Sequence, residues 1–301
     1  MKRILLTGMA GQLGQELPQT LAPLGKVIGV DRQKLDLAKS EQIRQVIGEV
    51  KPDLIINAAA YTAVDKAEQE TELANKVNGD APTIIAEVAQ SLGAFLIHIS
   101  TDYVFDGTKN RPYTESDTPN PINAYGQSKL LGEEGVTKAC DRHIILRTAW
   151  VYGAYGKGNF VKTMLKLGAE REELRVVVDQ VGTPTWTRDI AQAIAQLGQK
   201  ISSESSKDQI NPGIYHFTNS GVISWYDFAV AIFEEAKQLG FPLKVRKVVP
   251  IPSSEYPTPA PRPAYSVLST QKISALLGSH PCHWRTRLRQ MLKQLYSQNS
   301  Q

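Results

Sequence analysis

Cysteine is nearly missing from this 301-residue chain. Cys140 and Cys282 are too few for a disulfide scaffold, and the expected location is the reducing cytoplasm. Long apolar runs are missing as well. No stretch approaches the roughly 20 residues that cross a bilayer, and Gly8 breaks the first apolar run, Ile4-Leu5-Leu6, too soon for a signal peptide. An excess of one charge is also lacking. Lys+Arg 34 against Asp+Glu 30 leaves +4, with no concentrated basic block, which argues against a nucleic-acid partner. No repeat of solenoid period occurs. What remains is an ordinary globular composition, 42% hydrophobic and 21% charged, rich enough in aliphatics to exclude general disorder. The length suits one large domain or two modest ones.

The first half alternates short aliphatic runs with helical patterns. Residues 4–6, 27–30, 54–56, 95–99 and 144–146 are rich in Ile, Leu and Val and do not alternate with polar residues. That pattern predicts strands covered on both faces. Between them, residues 13–21, 40–50, 81–91 and 127–139 predict amphipathic helices, with Ser40 as a cap ahead of Ile43, Val46 and Ile47. Strand–helix alternation predicts βαβ units and a parallel sheet. The second half changes character. Residues 202–209 are a polar stretch read as a surface loop, and seven prolines between Pro242 and Pro263 forbid helix and predict an extended segment. Residues 284–296 return to a basic amphipathic helix. The boundary is expected near residues 148–152. This divides the chain into a cofactor-binding part, 1–150, and a substrate-binding part, 151–301, with an element near 176–200 returning to the first.

Gly8-Met9-Ala10-Gly11-Gln12-Leu13-Gly14 follows the first strand and opens the first helix. Gly8 permits a tight turn, Gly11 lets backbone approach a pyrophosphate, and Gly14 lets helix pack on strand. The helix N-terminus offers unpaired N–H groups and partial positive charge to phosphates. Asp31 ends the second strand, at the spacing of the acid that holds the adenosine ribose. The adjacent Arg32 can pair a ribose 2′-phosphate, so both NADPH and NADH are expected to serve. Asp36 and Leu37 are candidates for the adenine side, or Asp36 is a solvated loop acid. Asn57-Ala58-Ala59-Ala60 ends the third strand, its small side chains leaving room for cofactor beside Ala60, Tyr61 and Thr62. The fold class expected is α/β: a Rossmann-type doubly wound parallel sheet with a smaller, mixed C-terminal substrate-binding domain.

Tyr125 and Lys129 stand four apart, one turn apart on one helix face. A free tyrosine has a pKa near 10, and a nearby ammonium lowers it by stabilising the phenolate. A tyrosine tuned in this way can act as general acid or base beside a carbonyl or alcohol. Thr101 ends the preceding strand, at the carboxyl edge where doubly wound sheets bind ligands. There its hydroxyl can hold a substrate oxygen next to Tyr125.

These motifs resemble the extended short-chain dehydrogenase/reductases, with their glycine fingerprint, Ser/Thr and Tyr-x-x-x-Lys. The resemblance runs along nearly the whole chain. Its narrower segments, among them NAAAYTAVDKAE from Asn57, STDYVF from Ser100, AYGQSK from Ala124, RTAWVY from Arg147 and YPTPAPRP from Tyr256, are those of members that act on a dTDP-linked keto-sugar. The resemblance implies reduction, by a nicotinamide hydride, of the 4-keto group of dTDP-4-dehydro-β-L-rhamnose to dTDP-β-L-rhamnose, the last step of dTDP-rhamnose biosynthesis. It implies Tyr125 as proton donor, Lys129 tuning it and binding the nicotinamide ribose, Thr101 orienting the substrate oxygen, and Asp102 and Trp150 at the sugar. It makes Gly11, Gln12 and Leu13 the pyrophosphate loop. Arg262, in the proline-rich segment, is expected either to cap the nucleotide end, since arginine pairs a pyrophosphate bidentately, or to be a rim arginine. Asn78 matches an asparagine of the family's central helix, where a structural role suits it equally.

Some members of that family are metal-bridged dimers. This chain keeps Glu16, but Arg188, next to Asp189, stands where a second acid can occur, so no metal is expected and a homodimer is a possible state. The pair His280 and His283 flanks Pro281 and Cys282 and is read as structural. Trp225 and Tyr226, at a helix start, are read as rings that stack on a partner or, as is commoner for aromatics in that place, as core. Two alternatives stay open: a reductase of another nucleotide-activated keto-sugar, and a non-catalytic NADP-binding regulatory subunit.

Overall fold

Six strands form one all-parallel sheet in the computed structural model, which describes residues 2–202 and 210–299. They are β1 (Arg3–Thr7), β2 (Lys26–Val30), β3 (Leu54–Asn57), β4 (Phe95–Thr101), β5 (His143–Thr148) and a last strand, Gly213–His216. In space the order is Gly213–His216, β5, β4, β3, β1, β2. Each aliphatic run of the first half became a strand, because both faces of the sheet are covered. Every residue of β3 and β5 is buried.

Helices α1 (Gln12–Leu21) and α2 (Ser40–Val50) follow β1 and β2. On one face, Leu13, Leu17 and Leu21 of α1 pack with Leu6, Ile56 and Leu146. The helix Thr187–Ser202 returns to this face and adds Ile190, Ile194 and Leu197. On the other face, Ile43 and Ile47 of α2 meet Leu5, Ile55 and Ile85. Each such aliphatic contributes about 1.5–3 kcal/mol by leaving water. A separate core joins Tyr152, Val161, Trp186, Phe228, Trp284 and Leu288 from the later part of the chain.

Several local expectations change. Lys39, not Ser40, is the N-cap of α2, and no side chain caps it. The helix expected over residues 81–91 is the end of a longer run: α3 (Val64–Ala67) leads to α4 (Thr71–Asn75), then a π-helical turn (Lys76–Asp80), then α5 (Ala81–Leu92). The helix expected from residue 127 is α6 (Ala124–Ala139), starting early enough to carry Tyr125. Residues 242–263 are not uniformly extended over the body. Lys247–Ile251 pairs in parallel with Glu173–Val177, and Ser253–Glu255 makes one 3₁₀ turn, with Pro252 at its N-cap. A proline is tolerated at such a start because its missing N–H needs no partner there. Of the polar stretch 202–209, Ser202 closes its helix and residues 203–209 lie outside the described residues.

The strand order reverses beside β1: β2 lies on one side and β3, β4 and β5 on the other. A crevice opens at the carboxyl ends of the strands at such a switch point. Among the described residues no helix is long and apolar enough to cross a membrane.

Candidate active site

A cavity of about 820 Å³ fills that crevice, at the upper end of the size range for ligand pockets. The glycine loop forms one end. Gly8 has φ +73°, and a Cβ there would meet the backbone N of Ala59 at 2.8 Å. A Cβ on Gly14 would sit 2.0 Å from the carbonyl oxygen of Gly8, so helix and loop approach as closely as only glycine allows. Gly11 is the N-cap of α1 and no side chain caps the helix, leaving its first N–H groups for a ligand anion. Gly8, Gly11, Gln12, Leu13 and Gly14 all line the cavity. The donor set and the room above it fit a dinucleotide pyrophosphate.

The ribose and adenine candidates follow along the wall. Asp31, Arg32, Asp36 and Leu37 line the cavity. Asp31 Oδ1 accepts the backbone N–H groups of Gln33 and Lys34 at 3.1 and 3.2 Å, and Asp36 Oδ1 accepts that of Ala38 at 3.1 Å. Both acids therefore shape their turns while facing the cavity. Ala60, Tyr61 and Thr62 line it from the segment that follows β3. Asn78 holds that segment: its Oδ1 accepts Tyr61 N–H at 2.8 Å, and its Nδ2 donates to Tyr61 O and to Ser128 Oγ, each at 3.0 Å. Asn78 does structural work, tying the cofactor wall to α6.

Thr101, Asp102, Tyr125, Lys129 and Trp150 all reach the same cavity. Tyr125 stands on the first turn of α6, fixed from three directions. Asn123 caps the helix by accepting Gly126 N–H at 2.8 Å and donates to Pro261 O at 2.9 Å, while Glu68 accepts Ala124 N–H at 2.8 Å. Sequence reasoning did not single out Asn123 or Glu68. An asparagine two residues before the tyrosine is an N-cap signal, but the partner of Glu68 lies 56 residues away. The Tyr103 ring meets Tyr125 edge-on at 5.6 Å.

Burial pushes the Tyr125 phenol up to about 12; a hydrogen bond with Thr101 pulls it down and the charge of Asp102 pushes it up. Lys129 is almost completely buried. Its Nζ donates to the Ile99 carbonyl at 2.7 Å and lies 3.4 Å from His98 Nε2. Burial holds Lys129 down at about 8, with Glu133 one turn on pulling it up. The expected lowering of Tyr125 by Lys129 is not found: burial dominates the phenol, and the groups that act on it are Thr101 and Asp102. Burial also pushes Asp102 up to about 6, against hydrogen bonds with Ser266 and Thr101. At neutral pH the wall presents a protonated phenol and a hydroxyl side by side, with an amine titrating close to working pH behind them. Perturbed groups gathered in a cleft mark a chemical site.

Trp150 has φ +45°, a backbone state that costs a bulky residue about 1–3 kcal/mol. Its indole lies flat on that of Trp225, centroids 3.4 Å apart, planes at 4°. Trp225 itself lines the cavity and also packs against the second core, so it both stacks and belongs to the core. Tyr226 packs against the second core. Arg262 does not line the cavity. Its guanidinium pairs with Asp65 at 2.9 Å, reaches Ala260 O at 3.3 Å and lies 5.9 Å from the centre of the Tyr103 ring. It stands one side chain behind the wall because Asp65 claims it.

Glu16 is buried and is met by Arg188 at 3.4 Å, while Arg188 also donates to Gln294 at 2.9 Å. Burial raises Glu16 and Arg188 lowers it. Among the described residues no group of three or more His, Cys, Asp or Glu side chains is placed to hold a metal ion. His283 accepts the N–H of Arg285 at 3.2 Å.

Comparison with known proteins agrees along the whole chain. The family model for the RmlD substrate binding domain matches residues 1–297. The dTDP-4-dehydrorhamnose reductase of Burkholderia thailandensis is 44% identical over 298 residues, 98% of this chain and 100% of that protein. The Escherichia coli K12 enzyme of the same name is 42% identical, covering 98% of each chain. Among solved structures, the dTDP-4-dehydrorhamnose reductase of Bacillus anthracis in complex with NADP superposes with a TM-score of 0.88 at 39% identity, covering 97% of this chain and 99% of that one.

Proposed function

Because this chain belongs to the RmlD substrate-binding-domain family, we propose that it is an NAD(P)-dependent oxidoreductase that reduces the 4-keto group of dTDP-4-dehydro-β-L-rhamnose to give dTDP-β-L-rhamnose. The observation that carries the reading is the convergence of the Thr101 and Tyr125 hydroxyls on one cavity that begins at the Gly8 loop. The cofactor is NADPH, with NADH also accepted. Residues 1–150 hold it, joined by the later strand and helix that complete the sheet, and residues 151–301 hold the sugar nucleotide. The protein works in the cytoplasm, as a homodimer.

When bound, the nicotinamide supplies the hydride. The chain's own residues do the rest. Uncapped N–H groups of α1 bind the pyrophosphate. The Thr101 hydroxyl, whose proton rests on Asp102 Oδ1 at 3.1 Å, turns that proton to the keto oxygen, where negative charge grows as the hydride arrives. Tyr125, kept protonated by burial, gives that oxygen its proton, so ketone, hydride and proton sum to the alcohol. Lys129 stands one turn behind to hold the pair's charge and return a proton. Asp102 and Trp150 orient the sugar.

Incubating the protein with NADPH and dTDP-4-dehydrorhamnose tests this. Loss of nicotinamide absorbance with one dTDP-rhamnose formed per NADPH consumed supports it. Tight NADPH binding with no consumption would point instead to a regulatory subunit. Consumption only with another nucleotide-linked ketone would move the substrate.

A further inference from the structure

His98 lies in the middle of β4, fully buried, and is not part of the cavity wall. An imidazole in such a place is costly unless both nitrogens are used, and both are. Asn57 Nδ2 lies 3.0 Å from Nδ1, and Lys129 Nζ lies 3.4 Å from Nε2. The chain continues away from the ring. The Thr7 hydroxyl donates to Asn57 Oδ1 at 2.6 Å, and the backbone N–H of Ala59 donates to that hydroxyl at 3.3 Å. Thr7 and Ala59 both line the cofactor end of the cavity.

The far end sets the direction of this chain. Thr7 accepts the Ala59 N–H and gives its own proton to Asn57 Oδ1. The Asn57 oxygen takes that proton, which turns its NH₂ toward the ring. Nδ1 therefore accepts. Burial, Lys129 and His143 hold the ring well below the usual histidine range, so it carries one proton, on Nε2, facing Nζ. An ammonium has only protons to present to that edge, whereas a free amine has a lone pair for it. The Ile99 carbonyl accepts from either form.

We propose that His98 is a positioning residue for Lys129: Asn57 and Thr7 lock its ring in the Nε2–H tautomer, which holds the lysine against Ile99 and favours its free amine. The inference rests on the reading of Tyr125 and Lys129 as the proton-donating pair. The charged and titratable groups around it are distributed on three elements. Glu133 on α6 favours the ammonium, Tyr125 stands one turn back on α6, His143 on β5 acts on the ring, and Asp102 after β4 acts on Tyr125. Their balance decides where the coupled pair loses its proton.

Two measurements test the inference. The first is imidazole nitrogen NMR of the protein labelled with ¹⁵N-histidine, with His98 assigned by comparison with His98→Gln. From about pH 6 to about pH 9, a range that spans the ordinary histidine pKa, Nδ1 is expected to be of pyridine type and Nε2 of pyrrole type. An Nδ1–H tautomer, or a cationic ring, overturns the proposal, and this readout does not depend on turnover. The second is the pH profile of kcat for His98→Gln, whose amide oxygen can accept from an ammonium. Its alkaline limb is expected to move up by about one pH unit, the equivalent of one net hydrogen bond, with NADPH affinity unchanged within about threefold. A superimposable profile with only a lower Tm would make His98 merely structural. Absence of turnover in the wild-type protein would instead sink the proposed function. If His98→Gln does not fold, His98→Asn supplies the assignment and the tautomer alone decides.

Discussion

The indole of Trp150 lies flat on that of Trp225, ring centroids 3.4 Å apart and planes 4° from parallel. Trp225 is thus the backing of a side chain assigned to the sugar, and it holds Trp150 in a backbone state that bulky residues avoid. Replacing it by leucine keeps apolar volume and removes the stack. An aromatic pair is worth about 0.5–1.5 kcal/mol beyond its buried area, so Trp225→Leu is expected to raise KM for the sugar nucleotide by ~3–10-fold. KM for NADPH should stay within ~2-fold. Steady-state kinetics with each substrate varied in turn check this, and equal rises in both would show a general disturbance of the cavity.

Gly14 packs against the Gly8 carbonyl with no room for a methyl group. The clash is with backbone, which cannot rotate aside. Gly14→Ala is expected to cost about 1–3 kcal/mol of stability, as overpacking does, and to weaken NADPH binding more than ~10-fold because loop and helix must part. Thermal melts and fluorescence titration measure the two effects. An unchanged Kd would show that the loop does not bind the pyrophosphate.

Asp102 carries a buried carboxyl whose pKa burial pushes up to about 6 from 3.8. The folded state binds the proton more tightly than the unfolded one, so the wild type loses stability as pH rises from about 4 to about 6. The loss is then constant above that window. A rise of about two units corresponds to roughly 2–3 kcal/mol. Asp102→Asn should therefore melt higher than wild type at pH 8, match it near pH 4, and lose activity. Stability of this kind is commonly given up at functional sites. A variant that is less stable than wild type at pH 8 would contradict the assignment of burial as the cause.

Arg147 and Glu133 form a buried pair 2.5 Å apart, with Ser100 donating to the same carboxylate at 2.5 Å. Arg147→Met leaves Glu133 without its cation and should cost about 3–5 kcal/mol in denaturant unfolding. Changing Glu133 to leucine as well should recover part of that loss, because the pair does not act additively. A double variant at the sum of the two single losses would contradict this.

The sheet was readable because its strands are buried on both faces and so are written as unbroken Ile, Leu and Val runs. The glycine loop was readable because its chemistry is local: strand, turn and helix start lie within one stretch. Tyr125 and Lys129 were readable because helix period brings them together. The rest depended on partners far apart in the chain. Gly213–His216 joins the sheet beside β5, yet Gly-Ile-Tyr-His carries little strand signal. Arg262 is claimed by an acid 197 residues away, which no spacing rule reports. Lys129 reaches a backbone carbonyl of β4 and the ring of His98, and carbonyl direction is invisible in a sequence. Trp225 at a helix start suits a stack as well as a core, and only the fold, which opens the cavity beside it, shows both. Tyr125→Phe probes the part that was legible: turnover should fall at least ~100-fold, the low end for a general acid, with NADPH affinity nearly intact.

A hydride and a proton are expected to add across the 4-keto group in the cavity lined by Thr101 and Tyr125. The most direct measurement supplies NADPH deuterated at the transferred position together with dTDP-4-dehydrorhamnose, and locates the label in the product by NMR. Deuterium is expected on C4 of dTDP-rhamnose, one atom per product molecule. Product without deuterium at C4, or label at any other carbon, would contradict it.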